Sequence, residues 1–174
     1  GVGAGTGCCA VRLARALPGG AVVGVDAEPD MVRYLRERIG REKLANLYAQ
    51  LATADDASLP GPMDLVLFVD TYHHVPNRER YFRGLQKSLK PGGRVVASVP
   101  AYQSLWSAHD VALMHFRRYS AGLFRQRVET ARFAIEKLSY AMTLLFPVVW
   151  GVRQLSNRLR RKEDPRLLEG RGRY

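Results

Sequence analysis

The residues best able to do chemistry begin at the first position. Gly1-Val2-Gly3-Ala4-Gly5-Thr6-Gly7 places glycine at every second residue. Such a run lets the backbone turn freely and approach a ligand closely. A helix follows directly, and a helix N-terminus favours a negative group such as a carboxylate. The dinucleotide fingerprint needs glycines at relative positions one, three and six. Counted from Gly1 the sixth residue is Thr6, and counted from Gly3 it is Cys8, so neither frame fits. Asp26 comes nineteen residues after Gly7, beside Ala27 and at the end of an apolar run. A carboxylate there can accept from both hydroxyls of a ribose. Asp55-Asp56 follows the next apolar run, either as acceptors for an adenine amino group or as two acids of a turn.

Asp70-Thr71-Tyr72-His73-His74-Val75-Pro76 follows a run apolar enough for a strand buried on both faces. In open α/β sheets ligands bind outside the carboxyl ends of strands, so Asp70 and Tyr72 are expected beside cofactor and substrate. His73 and His74 are adjacent, and their side chains diverge, which excludes the i, i+4 metal pair of a helix; no metal site is expected. Either could be a general base, with a packing role preferred. A further cluster lies in residues 102–119, with Trp106, His109, Asp110, His115, Arg117, Arg118 and Tyr119. His109 and His115 are base candidates. Arg117 and Arg118 suit an anionic substrate group, and Trp106 and Tyr119 suit a pocket wall. Two other functions remain open at this point: a nicotinamide-dependent oxidoreductase, and a binding module without catalysis.

Short β-type runs alternate with amphipathic stretches, which predicts a parallel sheet with helical crossovers. Helices are expected over residues 8–17, from Pro29, from Asn77 and from Ser120. Their stripes are Ala10, Leu13, Ala14, Leu17; Met31, Val32, Leu35, Ile39; Tyr81, Phe82, Leu85, Leu89; and Phe124, Val128, Ala131. Strands are expected over 21–26, 47–54, 64–70, 94–99 and 133–140, with a turn at Lys90-Pro91-Gly92-Gly93. Residues 141–152 are apolar around Pro147 and fall short of the ~20 residues that span a bilayer. They read as a core helix kinked at Pro147 that covers the pocket, with a peripheral membrane contact through 140–162 as the alternative.

The ordered runs GVGAGTG, VVGVD, ADDASLP, DLVLFVDTYHHV and LKPGGRVV are together similar to the class I S-adenosylmethionine (SAM)-dependent methyltransferases of the type 11/12 kind. PAYQSLWSAHDVALMHFRRYS and KLSYAMTLLFP look like a bacterial subgroup of them. The resemblance implies a Rossmann-like, doubly wound, mostly parallel α/β sheet with helices on both faces. It implies SAM as cofactor: Gly3, Gly5 and Gly7 at the methionine moiety, Asp26 at the ribose, Asp55 and the Asp56 backbone at adenine, and Asp70 beneath. It implies methyl transfer to a small-molecule or lipid- or sugar-linked metabolite. The family pattern has an acid two residues before the first motif glycine; here Gly1 stands there. It often has Gly where this chain has Arg132.

The chain opens inside the glycine loop without Met, so it reads as a fragment whose first strand is largely missing, with weak or no activity expected of these residues alone. A methyltransferase domain over 1–152 and a basic, partly disordered tail over 153–174 are expected. Net charge is +11, and the tail holds eight Lys or Arg against three acids. Such a tail suits an anionic surface or a solvated end; no nucleic-acid-reading motif accompanies it. Cys8 and Cys9, neighbours in sequence, make a poor disulfide. A reducing, cytoplasmic setting fits them.

Overall fold

The computed structural model describes residues 1–53, 55–69, 71, 75, 78–112, 115 and 117–163. The chain divides into two compact units, Gly1–Ser98 and Val99–Tyr174.

In the first unit the order is α1 (Cys8–Ala16), β1 (Val22–Asp26), α2 (Pro29–Glu42), β2 (Leu47–Leu51), β3 (Met63–Val69), α3 (Arg78–Lys87) and β4 (Leu89–Ser98). β1 pairs parallel with β2, and β3 parallel with β4. The two ladders are joined through the opening residues. Val2 bridges both Val25 and Phe68 in parallel. The Val2 amide donates to Leu67 O and the Ala4 amide to Val25 O, each at 2.9 Å. The strand expected ahead of the glycine loop is thus represented at the sheet centre by Val2, giving the spatial order β2, β1, Val2, β3, β4. Parallel neighbours require crossovers, and α2 and α3 supply them.

Burial follows the expected periodicities with local exceptions. Val11 joins Ala10 and Ala14 in the core of α1, while Leu17 is half exposed, because the helix ends one residue before it. Val32 and Leu35 are buried on α2, whereas Met31 is partly exposed. Pro29 occupies the first turn of α2, where its missing N–H is not needed. On α3 Tyr81, Phe82 and Leu85 are buried against β3, and Phe68 stacks on Phe82 with centroids 5.3 Å apart. Burial pushes the Tyr81 phenol well above its ordinary range. Leu89 belongs to β4, not to α3. The turn at 90–93 is an outward bulge inside β4. The register passes from Met63↔Leu89 to Leu65↔Arg94, Gly92 has φ 76°, and a Cβ on Gly93 would lie 2.9 Å from Lys90 O and Met63 O.

In the second unit the elements are a 3-10 turn (Gln103–Leu105), α4 (Ala108–Ala112), α5 (Ala121–Thr130), a 3-10 turn (Thr143–Leu145) and α6 (Phe146–Glu163). Ser120 caps α5 as expected, its Oγ accepting from the Leu123 amide at 3.2 Å. Val128 is not buried, and Ala131 alone of the expected α5 stripe is. Arg132 has φ 62°. Its amide donates to Glu129 O at 2.8 Å, and that of Phe133 to Val128 O at 3.2 Å. This is the Schellman closure that normally recruits glycine. Residues 133–140 form no strand: their alternation is present, but no ladder partner is found among the described residues. Pro147 does not kink a helix; it sits in the first turn of α6, where proline is tolerated. The boundary expected between residues 152 and 153 falls inside α6. Tail residues 164–174 lie outside the described residues.

Candidate functional site

The first unit gathers the expected cofactor residues at one end of its sheet. Gly3, Gly5 and Gly7 have φ 65°, 50° and 86°, the left-handed region that side chains resist. Gly3 also meets a hard steric limit, since a Cβ there would sit 1.9 Å from Thr71 Cγ2. Thr71 Oγ1 donates to Val2 O at 3.1 Å. The start of the loop is thus clamped to the segment after β3. From the other side Arg38 of α2 donates through Nη1 to Thr6 O at 3.0 Å, and its Nε pairs with Glu42 at 2.6 Å. The i, i+4 spacing of Arg38 and Glu42 is visible in the sequence, but the reach to Thr6 is not.

Asp26 ends β1 with its carboxylate facing this loop. Oδ2 accepts from the Gly5 amide at 2.7 Å, and Oδ1 from the Glu28 amide at 3.0 Å. An ionised carboxylate offers about four acceptor sites, so each oxygen retains one for a ligand hydroxyl. Two backbone amides fix the group's orientation beforehand. Ala27, next to it, is exposed.

Past β2 the chain makes a tight turn. The Asp56 amide donates to Thr53 Oγ1 at 3.0 Å, and Asp56 Oδ1 accepts from Ser58 N at 2.9 Å. Thr53 therefore occupies the amide expected to meet adenine, while Asp55 is exposed. A depression of about 590 Å³ adjoins this turn, lined by Thr53, Asp55, Asp56, Arg80, Arg83, Gly84 and Lys87. Asp70, Tyr72, His73 and His74 lie outside the described residues.

The second unit treats its candidate residues differently. Asp110 is fully buried. Its Oδ1 faces His115 Nδ1 at 3.1 Å and Arg118 Nη2 at 2.8 Å; its Oδ2 accepts from Arg153 Nη1 at 3.0 Å and from the Ser107 amide at 2.9 Å. Burial alone would push the Asp110 carboxyl up. The His115 hydrogen bond and the Arg118 charge outweigh it and hold the carboxyl below its ordinary value. Arg118 also donates to Ala101 O at 3.0 Å. It is thus spent on the fold and not held out for a substrate anion. Trp106 and Tyr119 are 3% and 2% exposed, so they are core groups and not an open pocket wall. His109 is exposed on α4, and Arg117 is half-buried. Ser107-Ala108-His109-Asp110 has the spacing of a capping box, the one mark of the role of Asp110 that the sequence carries.

A parallel sheet whose glycine loop leads from the sheet centre into a helix, facing an acid at the end of the neighbouring strand, defines a Rossmann-like nucleotide-binding domain. The chain belongs to the methyltransferase domain family, whose model matches residues 1–95. It is similar to a demethylmenaquinone methyltransferase of Tropheryma whipplei (37% identity over 98 residues, 55% of this chain and 38% of that protein). It is also similar to a malonyl-[acyl-carrier protein] O-methyltransferase of Geobacter sulfurreducens (35% over 95 residues, 53% of this chain and 34% of that protein). The chain thus spans little more than a third of the length of these relatives. Its fold matches a SAM-dependent methyltransferase of Mesorhizobium loti, with TM-score 0.65 and 19% identity over 90% of this chain and 84% of that one.

Proposed function

We propose that this chain binds SAM through its first unit and belongs to an enzyme that transfers the methyl group to a small-molecule acceptor, lipid- or sugar-linked metabolites included. The observation that carries the reading is the pairing of the Gly3–Gly7 loop with the pre-oriented Asp26 carboxylate. SAM supplies an activated sulfonium methyl. Gly3, Gly5 and Gly7 would admit the methionine end, Asp26 would accept from the ribose hydroxyls, and Asp55 would accept from the adenine amino group. Transfer would run by in-line attack of an acceptor nucleophile on the sulfonium methyl, with the sulfur leaving as a neutral thioether. The protein's work is then mostly positioning and exclusion of water. A base is needed only where the acceptor must lose a proton. The two methyltransferase-named relatives support a small acceptor or one carried on a larger group.

The test is calorimetric titration with SAM and with NAD. SAM binding without NAD binding is expected. Asp26→Ala is expected to weaken SAM by roughly 100-fold or more, the loss of two hydrogen bonds to a charged acceptor at ~1.5 kcal/mol each or more. NAD binding without SAM binding would overturn the reading.

A further inference from the structure

Helix α6 is amphipathic in the wrong sense for a helix packed into its own unit. Three of its polar side chains point inward. Arg153 Nη1 donates to Leu105 O at 2.6 Å and to Ser107 Oγ at 3.0 Å, besides its pairing with Asp110. Gln154 Nε2 donates to Ser104 O at 2.8 Å, and Asn157 Nδ2 to Trp106 O at 2.7 Å. These residues fix the rotation of the helix. At 100° per residue, the opposite face carries Val148, Val152 and Leu155, which are 65%, 62% and 62% exposed. The preceding turn also exposes Met142, at 76%, and Leu144, at 92%. Three polar anchors inward and five large apolar groups outward leave the apolar face without a partner inside this unit.

The charge pattern indicates what covers it. Residues 140–162 contain no Asp or Glu, and five basic residues, Arg153, Arg158, Arg160, Arg161 and Lys162, follow in the second half. Arg153 is bound inward, while Arg158 is exposed, and the remaining basic residues keep the second half of the segment positively charged. A second copy of this chain would bring like charges together at the same face. An anionic lipid surface meets both properties at once: its acyl boundary takes up the convex apolar stripe, and its headgroups attract the basic residues. No helix among the described residues is long and apolar enough to cross a membrane, so the contact lies in the plane of the interface. We infer that the exposed face of residues 142–158, with the basic sequence that follows it, is a peripheral docking surface for anionic membranes. This goes beyond methyl transfer and does not rest on which acceptor is used.

The test is co-sedimentation of the full chain with phosphatidylcholine vesicles, with and without phosphatidylglycerol. Binding to the anionic vesicles is expected, at least about tenfold stronger than to the neutral ones and weakened by salt. The double variant Leu144→Asp and Val148→Asp should lose at least about tenfold in affinity, while its circular dichroism and thermal midpoint stay those of the parent. Leu144→Asp alone, at a side chain too exposed to support packing, keeps the test valid should the double variant fail to fold. Equal binding by the parent and the folded variants would overturn the inference. So would absence of vesicle binding, or a concentration-dependent dimer that the same substitutions dissolve.

Discussion

Asp110→Asn removes one negative charge from the centre of the second unit while keeping the side chain's size. The parent carboxylate takes Arg118 on one oxygen and Arg153 on the other, with His115 and the Ser107 amide completing the set. Arg118 is 8% exposed and Arg153 21%, so Arg118 has little access to water once its partner is neutral. Breaking a buried ion pair by neutralising one side costs about 3–5 kcal/mol. Arg153 can reach solvent, which places the expected loss near ~3 kcal/mol. For a unit this small each kcal/mol moves the midpoint by roughly 4–8 °C, so a fall of well over ~10 °C follows. Both tryptophans, Trp106 and Trp150, lie in this unit, so urea unfolding followed by tryptophan emission reads it selectively. Arg153→Met is expected to cost much less in the Asp110→Asn background than in the parent. Since the folded carboxyl lies below its ordinary value of 3.8, its contribution is complete above that pH. It is lost as the pH falls through the lower folded value. The gap between parent and variant should therefore close as the pH falls below about 4. A loss under ~1 kcal/mol, or additive costs in the double variant, would refute the clamp.

Gly3→Ala should abolish measurable SAM binding, because the new Cβ meets Thr71 Cγ2 at 1.9 Å and Cβ at 2.8 Å in addition to its φ of 65°. Thr71→Gly in the same chain should restore part of it by calorimetry, leaving the ~1–2 kcal/mol cost of the left-handed backbone; no restoration would deny the steric account. Arg132→Gly should raise the urea midpoint of the second unit by the equivalent of about 0.5–1 kcal/mol, since Arg132 holds φ 62° at a Schellman closure. A lower midpoint would mean that the side chain contributes more than its backbone costs.

The alternation of short apolar runs with amphipathic stretches determined the parallel α/β class, because the two periods, 2 and 3.6, are written locally in the residues. The glycines at 3, 5 and 7 and Asp26 were legible for the same reason: backbone freedom and an acid at a strand end need no distant partner to be recognised. What tertiary structure alone decided was where side chains spend their polar groups. Arg118 and Arg153 read alike in sequence as free cations, yet both converge on Asp110 from positions far apart in the chain. Asn46 gave no signal, although its Nδ2 donates to Ala14 O, Leu17 O and Gly20 O and so closes the end of α1. Residues 133–140 carried a strand's alternation but found no ladder, since a strand exists only where a neighbour accepts and donates along it. The apolar run before residue 152 looked like core for a comparable reason. Hydrophobicity is a property of the residue, but which way it faces was fixed by Arg153, Gln154 and Asn157 and the carbonyls they found.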